Sequence, residues 1–137
     1  MAVGVAMLMA SCELETSDNG KLDGLWQLCR IDTLTTGTSA DMREKMISWA
    51  FQGRLMQVRC GETMREAYLS FERRADSLIL SKPYLSDREA DDIKVEHAEE
   101  LYRYGLQRLE EGYKVIDLSS KRMRLKSELV CIDFRKY

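Results

Sequence analysis

The closing stretch of the chain alternates with a period of two. Over residues 122–127, Met123 and Leu125 take one side of an extended backbone while Arg122, Arg124 and Lys126 take the other. Over residues 129–137, Val130, Ile132 and Phe134 again share one side. A strand half buried on a core has this pattern and a helix does not, because successive strand side chains point to opposite faces. With residues 113–118 before them, joined at Ser119-Ser120 and Ser127-Glu128, these segments predict an antiparallel meander.

The same alternation runs through the rest of the chain from Lys21, broken every eight to twelve residues. Residues 24–31 read as a first strand. Ile47, Trp49 and Phe51 oppose Ser48, Ala50 and Gln52; Gly53 bends the chain, and residues 54–60 continue as the next strand. Ala67, Leu69 and Phe71 oppose Tyr68, Ser70 and Glu72, and residues 78–80 form a further strand. Residues 39–46 are expected to be a short helix, with Thr38 or Ser39 as its cap. Residues 83–112 do not alternate; there, 97–104 read as one or two helical turns ended by Gly105, in a loop or lid over one end of the sheet. The expected fold class is all-β, an antiparallel up-and-down barrel of about eight strands with one or two short helices.

Composition narrows the function. The 137 residues suit one ordinary domain, and 45% hydrophobic residues can bury a core. Lys plus Arg at 21 against Asp plus Glu at 23 leaves no basic field for nucleic acid. His97 is the single histidine, and its acidic neighbours Asp91, Asp92, Glu96, Glu99 and Glu100 read as a solvated loop rather than a metal cluster. The chain has no Gly-x-Ser-x-Gly elbow, no phosphate-binding glycine loop and no Cys-x-x-Cys, so we expect neither an enzyme nor a cofactor. Charge is uneven along the chain. Residues 87–100 are rich in acids, whereas 121–137 carry Lys121, Arg122, Arg124, Lys126, Arg135 and Lys136 against Glu128 and Asp133. Such outward bases either meet anionic headgroups or an acidic partner, or keep sheet edges from pairing; the second reading is the more ordinary.

The first eleven residues carry no charge and are too short and apolar to be anything but a signal-peptide core or a buried terminal segment. Leu8-Met9-Ala10-Ser11-Cys12 resembles the lipobox of bacterial lipoproteins. The resemblance implies a signal peptide over 1–11, acylation of Cys12, and a Gram-negative outer-membrane lipoprotein at the periplasmic or surface face. Two or more acyl chains anchor stably where one is marginal. Residues 12–20, with Glu13, Glu15 and Asp18, then form a flexible tether, and 21–137 form the barrel domain. Cys29, Cys60 and Cys131 remain, an odd number. Barrel closure makes the strands of Cys29 and Cys131 neighbours, which allows a bridge between them, although free thiols packed as small hydrophobes are the favoured reading.

Gly24-Leu25-Trp26 resembles the Gly-x-Trp that opens lipocalins, and the ending Phe134-Arg135-Lys136-Tyr137 is similar to the last strand of small lipocalin-like bacterial lipoproteins. The resemblance implies that Gly24 and Trp26 close the narrow end of the barrel and that Arg135 packs over Trp26 by a cation–π contact, although strict alternation turns Arg135 outward. It also implies a non-enzymatic binder or carrier of a small apolar ligand. The candidate lining is Trp49, Phe51, Met56, Val58, Leu69, Phe71, Val115, Met123, Leu125 and Ile132, with residues 83–105 near the mouth. Packed against each other, the same side chains make a filled barrel, and the chain is then an interaction module that docks on another envelope protein.

Overall fold

The computed structural model describes residues 19–61, 65–86 and 92–137. The expected signal peptide, Cys12 and the tether up to residue 18 lie outside the described residues. Eight strands close a barrel: β1 (Gly24–Thr33), β3 (Ile47–Gln52), β4 (Leu55–Cys60), β5 (Ala67–Arg74), β6 (Ser77–Leu85), β8 (Glu111–Leu118), β9 (Arg122–Lys126) and β10 (Val130–Lys136). Each pairs antiparallel with its neighbour in that order, and β10 returns to β1. Two short strands flank the ring: β2 (Thr38–Asp41) on β1 and β7 (Ile93–Lys94) on β6. The up-and-down barrel expected from the alternation is the observed architecture.

Inside, the in-phase apolar positions meet. Trp49 stacks at a tilt on Phe134, ring centroids 4.7 Å apart, and Phe51 meets Phe71 edge-on at 5.1 Å. These contacts join strands that are not neighbours in the ring, and Trp49 also meets Tyr113 across it at 6.2 Å, so the core is one continuous cluster.

Residues 39–46 are not a helix. Thr38–Asp41 is strand β2, followed by a 3-10 turn over Arg43–Lys45. The far half of β1 explains this: Arg30 to Thr33 carry an edge that β3 does not reach, and Thr38–Asp41 pair with it. A helix of so few residues has a costly nucleus, and ladder bonds to a preformed edge outweigh it. Strand β6 also runs past Leu80 to Leu85, taking in Pro83, which the period-two reading assigns to the lid. The Leu69 region of β5 meets a bulge at residues 82–83, so proline's missing N–H breaks no ladder bond.

The chain direction fixes two ends. The amino terminus of β1, the turns β3–β4, β5–β6 and β8–β9, and the end of β10 lie at one end. Leu22, on a 3-10 turn over Gly20–Leu22, is buried there, and its carbonyl accepts a hydrogen bond from Trp26 Nε1 at 2.8 Å. Asn19 Nδ2 donates to the Gly53 carbonyl at 2.8 Å, so the fold already holds residues 19 and 20. The opposite end is covered by the connection between β6 and β8, whose 3-10 helix over Ala98–Tyr104 ends at Gly105 in the left-handed conformation, as the sequence predicts.

Candidate functional site

The interior of the barrel is the first place to look for a binding site. A cavity wide enough for water leaves accessible area on its lining. Trp49, Met56, Val58, Leu125 and Ile132 have 0%, Leu69 and Met123 1%, and Phe51 2%. These candidate lining residues are brought together, but they touch each other rather than a void. Phe71 is slightly more open, and Val115 is half-buried at a bulge of β8, packed against the core from its edge.

The wide end is stoppered. Leu101, Tyr104 and Leu106 are buried in it. Trp49 Nε1 donates to the Tyr104 carbonyl at 2.7 Å from within the barrel, and Tyr104 Oη donates to the Arg65 carbonyl at 2.9 Å. The stopper therefore hangs on one indole, one phenol and the two buried side chains Leu101 and Leu106. Gly105 releases the chain from it with φ +85°, where a Cβ would run into Leu28 Cδ1.

Beneath this stopper β8 turns two polar side chains inward. Glu111 and Tyr113 pair across with Leu80 and Leu78, all four buried. Tyr113 Oη and Glu111 Oε2 have no hydrogen-bond partner, and neither does the buried Oε1 of Gln107 just before them. Arg108 Nε lies 3.7 Å from Glu111 Oε2, an ion pair rather than a hydrogen bond. Burial pushes the Glu111 carboxyl above its ordinary range, and Arg108 pulls it partly back while Glu128 raises it further. Burial, with Glu111 adding to it, holds the Tyr113 hydroxyl strongly protonated. In the sequence Glu111 is one of an adjacent acidic pair, Glu110-Glu111, unremarkable among 23 acids. The signal was present: it stands in phase with Tyr113 and Val115, one step before the predicted strand.

At the narrow end the cation on Trp26 is Lys136, not Arg135. Lys136 Nζ lies 5.1 Å from the ring centroid, and its side chain crosses the α-carbon of Gly24, where a Cβ would meet Lys136 Cε at 2.8 Å and φ is +116°. A side chain at Gly24 would therefore obstruct the path of Lys136 over Trp26. Arg135 faces outward, exposed, and its Nε donates to Gln27 Oε1 at 2.7 Å. The reason is parity: Phe134 points in, so Arg135 points out, and Lys136 at the barrel rim comes back over the indole.

Cys29, Cys60 and Cys131 are free thiols. Asp32, not Cys29, stands opposite Cys131 across the β1–β10 seam, and Cys29 lies where the register slips. On the outer face of that seam Arg30 pairs with Asp32 at 2.8 Å and Arg124 with Asp133 at 3.2 Å. A hydrogen bond from Arg30 leads the effects that hold the Asp32 carboxyl down at about 2. Among the described residues no three His, Cys, Asp or Glu side chains converge to hold a metal ion.

A further concavity lies on the outer wall near the closed end. A cleft of about 950 Å³ runs between Asn19, the Gly53-Arg54 turn and the β5–β6 hairpin, with Glu110 and Lys82 at its far side.

The comparisons with known proteins agree with this geometry. The barrel resembles the crystal structure of a lipocalin-like protein from Bacteroides uniformis, with a TM-score of 0.63 at 22% identity over 86% of this chain and 100% of that one. It also resembles an uncharacterized protein from Bacteroides eggerthii, with a TM-score of 0.61 at 21% identity over 85% of this chain and 99% of that one. At that identity the likeness is one of fold. No curated protein matches the chain. The model of the lipocalin-like domain family matches residues 7–137, and with a closed eight-stranded barrel behind that match, the chain belongs to the lipocalin-like domain family.

Proposed function

We propose that this protein is a lipid-anchored, non-enzymatic binding protein of a Gram-negative envelope, held at the outer membrane through Cys12, that takes a small apolar ligand into the wide end of its barrel. One observation carries the binding part: Glu111 Oε2 and Tyr113 Oη are buried without hydrogen bonds inside a barrel whose end is covered by the connection between β6 and β8. An unsatisfied buried polar atom costs about 1–3 kcal/mol. The stoppered state therefore carries a local penalty that is relieved when Leu101 and Tyr104 withdraw and a ligand enters with a hydrogen-bond donor at its head. Trp49, Phe134 and Tyr113 stand below to receive its apolar body. The anchor rests on the sequence from Leu8 to Cys12, and the fold itself is compatible with small-ligand binding.

The occlusion of the lumen side chains favours a second reading, a filled barrel that docks on another envelope protein. Leu101→Ala separates the two. On the binding reading, loosening the stopper increases uptake of a fluorescent fatty-alcohol analogue, and native mass spectrometry of the wild type isolated from its membrane shows a retained small molecule. Absence of both, in a variant that keeps its β-sheet circular dichroism, would leave the filled module standing.

A further inference from the structure

We propose that the closed end of the barrel is a membrane-docking surface for anionic phospholipid headgroups, so that the anchored protein stands with its stoppered end facing away from the bilayer. Three observations meet at this end. The first is where the chain leaves the fold. Asn19 is fastened to the Gly53 carbonyl at the closed end, and it stands seven positions after Cys12. Fully extended, that length reaches about 25 Å, so an anchor at Cys12 keeps this end, rather than the stopper, close to the lipid. The proposal rests on the anchor reading to this extent.

The second observation is charge. Lys21, Arg54, Arg73, Arg74, Lys121 and Arg122 are all exposed at the closed end, against Asp23, Glu72, Asp76 and Asp117. Glu72 is engaged by Arg74 at 2.8 Å. The stopper segment has the opposite sign, with Asp92, Glu96, Glu99 and Glu100 exposed against Lys94 and Arg103. The closed end is net basic where the tether enters, and the connection that forms the stopper is net acidic. The tether's own acids, Glu13, Glu15 and Asp18, oppose approach to an anionic leaflet, so attraction must come from the folded end.

The third is shape. The cleft beside Asn19 is lined by Arg54, Arg73, Arg74 and Lys82 with Glu72 and Glu110. At about 950 Å³ it has room for a phosphate-bearing headgroup. Guanidinium forks suit phosphate oxygens, and bases near an anionic leaflet are attracted over roughly a Debye length of about 8 Å at physiological salt.

The test is vesicle co-sedimentation of the full chain carrying Cys12→Ser, which removes acylation and so isolates the surface from the anchor. Vesicles of phosphatidylcholine are compared with the same lipid containing about 30 mol% phosphatidylglycerol. Partition onto neutral vesicles measures the contribution of the apolar amino end. The expected result is an excess on anionic vesicles that disappears at high salt. It should weaken on the order of 100-fold when Arg54, Arg73 and Arg74 are all changed to Gln, at about fivefold per base, and stay unchanged with Lys94→Gln and Arg103→Gln on the stopper. Equal partition onto both vesicle types, or equal losses from the two sets of variants, overturns the docking surface. Neither result bears on the anchor, which acylation of the wild-type chain reads separately.

Discussion

Lys136 reaches back across the α-carbon of Gly24 to place its ammonium 5.1 Å from the centre of the Trp26 ring. These two residues are also cross-strand partners where β1 meets β10, so one side-chain pair seals both the seam and the narrow end. Trp26 is fully buried and its indole N–H is spent on Leu22. Trp26→Ala is therefore expected to cost about 3–5 kcal/mol of stability by urea unfolding. Lys136→Gln should cost about 0.5–1 kcal/mol and alter the near-ultraviolet circular dichroism of the indole. Arg135→Gln should leave that spectrum unchanged. If Arg135→Gln altered it and Lys136→Gln did not, the assignment of the cation would be reversed.

Gly105→Ala tests the hinge at the foot of the stopper. Its φ of +85° disfavours any side chain, and the new methyl group would overlap Leu28 Cδ1. The expected loss is about 1–3 kcal/mol. Hydrogen exchange should show faster opening of residues 98–106 than of β1 to β5. Wild-type exchange rates there would mean that the backbone at 105 relaxes at no expense.

The Glu111 carboxyl gives stability a pH dependence of definite sign. Its folded pKa lies above the ordinary value, chiefly through burial, so the native state holds its proton more tightly than the unfolded chain does. Glu111 thus makes stability fall as pH rises from about 4.3, the unfolded value, through the folded one. Glu111→Gln should flatten the melting midpoint over that window. Asp32 acts oppositely: held at about 2, its stabilising contribution is present above about 3.9 and is lost as pH falls toward 2. A midpoint in the Glu111→Gln variant that still falls with rising pH above 4.3 would assign the effect to another group.

Cys12→Ser is expected to abolish incorporation of labelled palmitate and to release the protein from membranes washed at high salt and then detergent-free at low protein load. Retention of label by the variant would exclude Cys12 as the acylated residue.

Much of the barrel could be read before any coordinates. Trp49, Phe51, Leu69, Phe71, Met123, Leu125 and Ile132 all point inward where period two places them, because the strand pleat is a local property and leaves its mark in consecutive residues. Residues 39–46 were misread because their conformation depends on a vacant edge of β1, far from any pattern of their own. Glu111 carries no weight in the sequence, because a pair of acids such as Glu110-Glu111 is ordinary among 23 carboxylates, and only Leu80 found opposite it places it inside.

The amino-acid order by itself determined the eight strands of the ring, their antiparallel up-and-down course, the helical turn before Gly105 and the inward set of side chains, since each follows from the alternation or capping of near neighbours. Tertiary structure alone decided that Lys136 rather than Arg135 covers Trp26, that the lumen side chains meet each other, and that Tyr104 stoppers the wide end. Those outcomes turn on distances between residues far apart in the chain, and such distances are set only when the ring of strands closes and every side chain competes for the same interior volume.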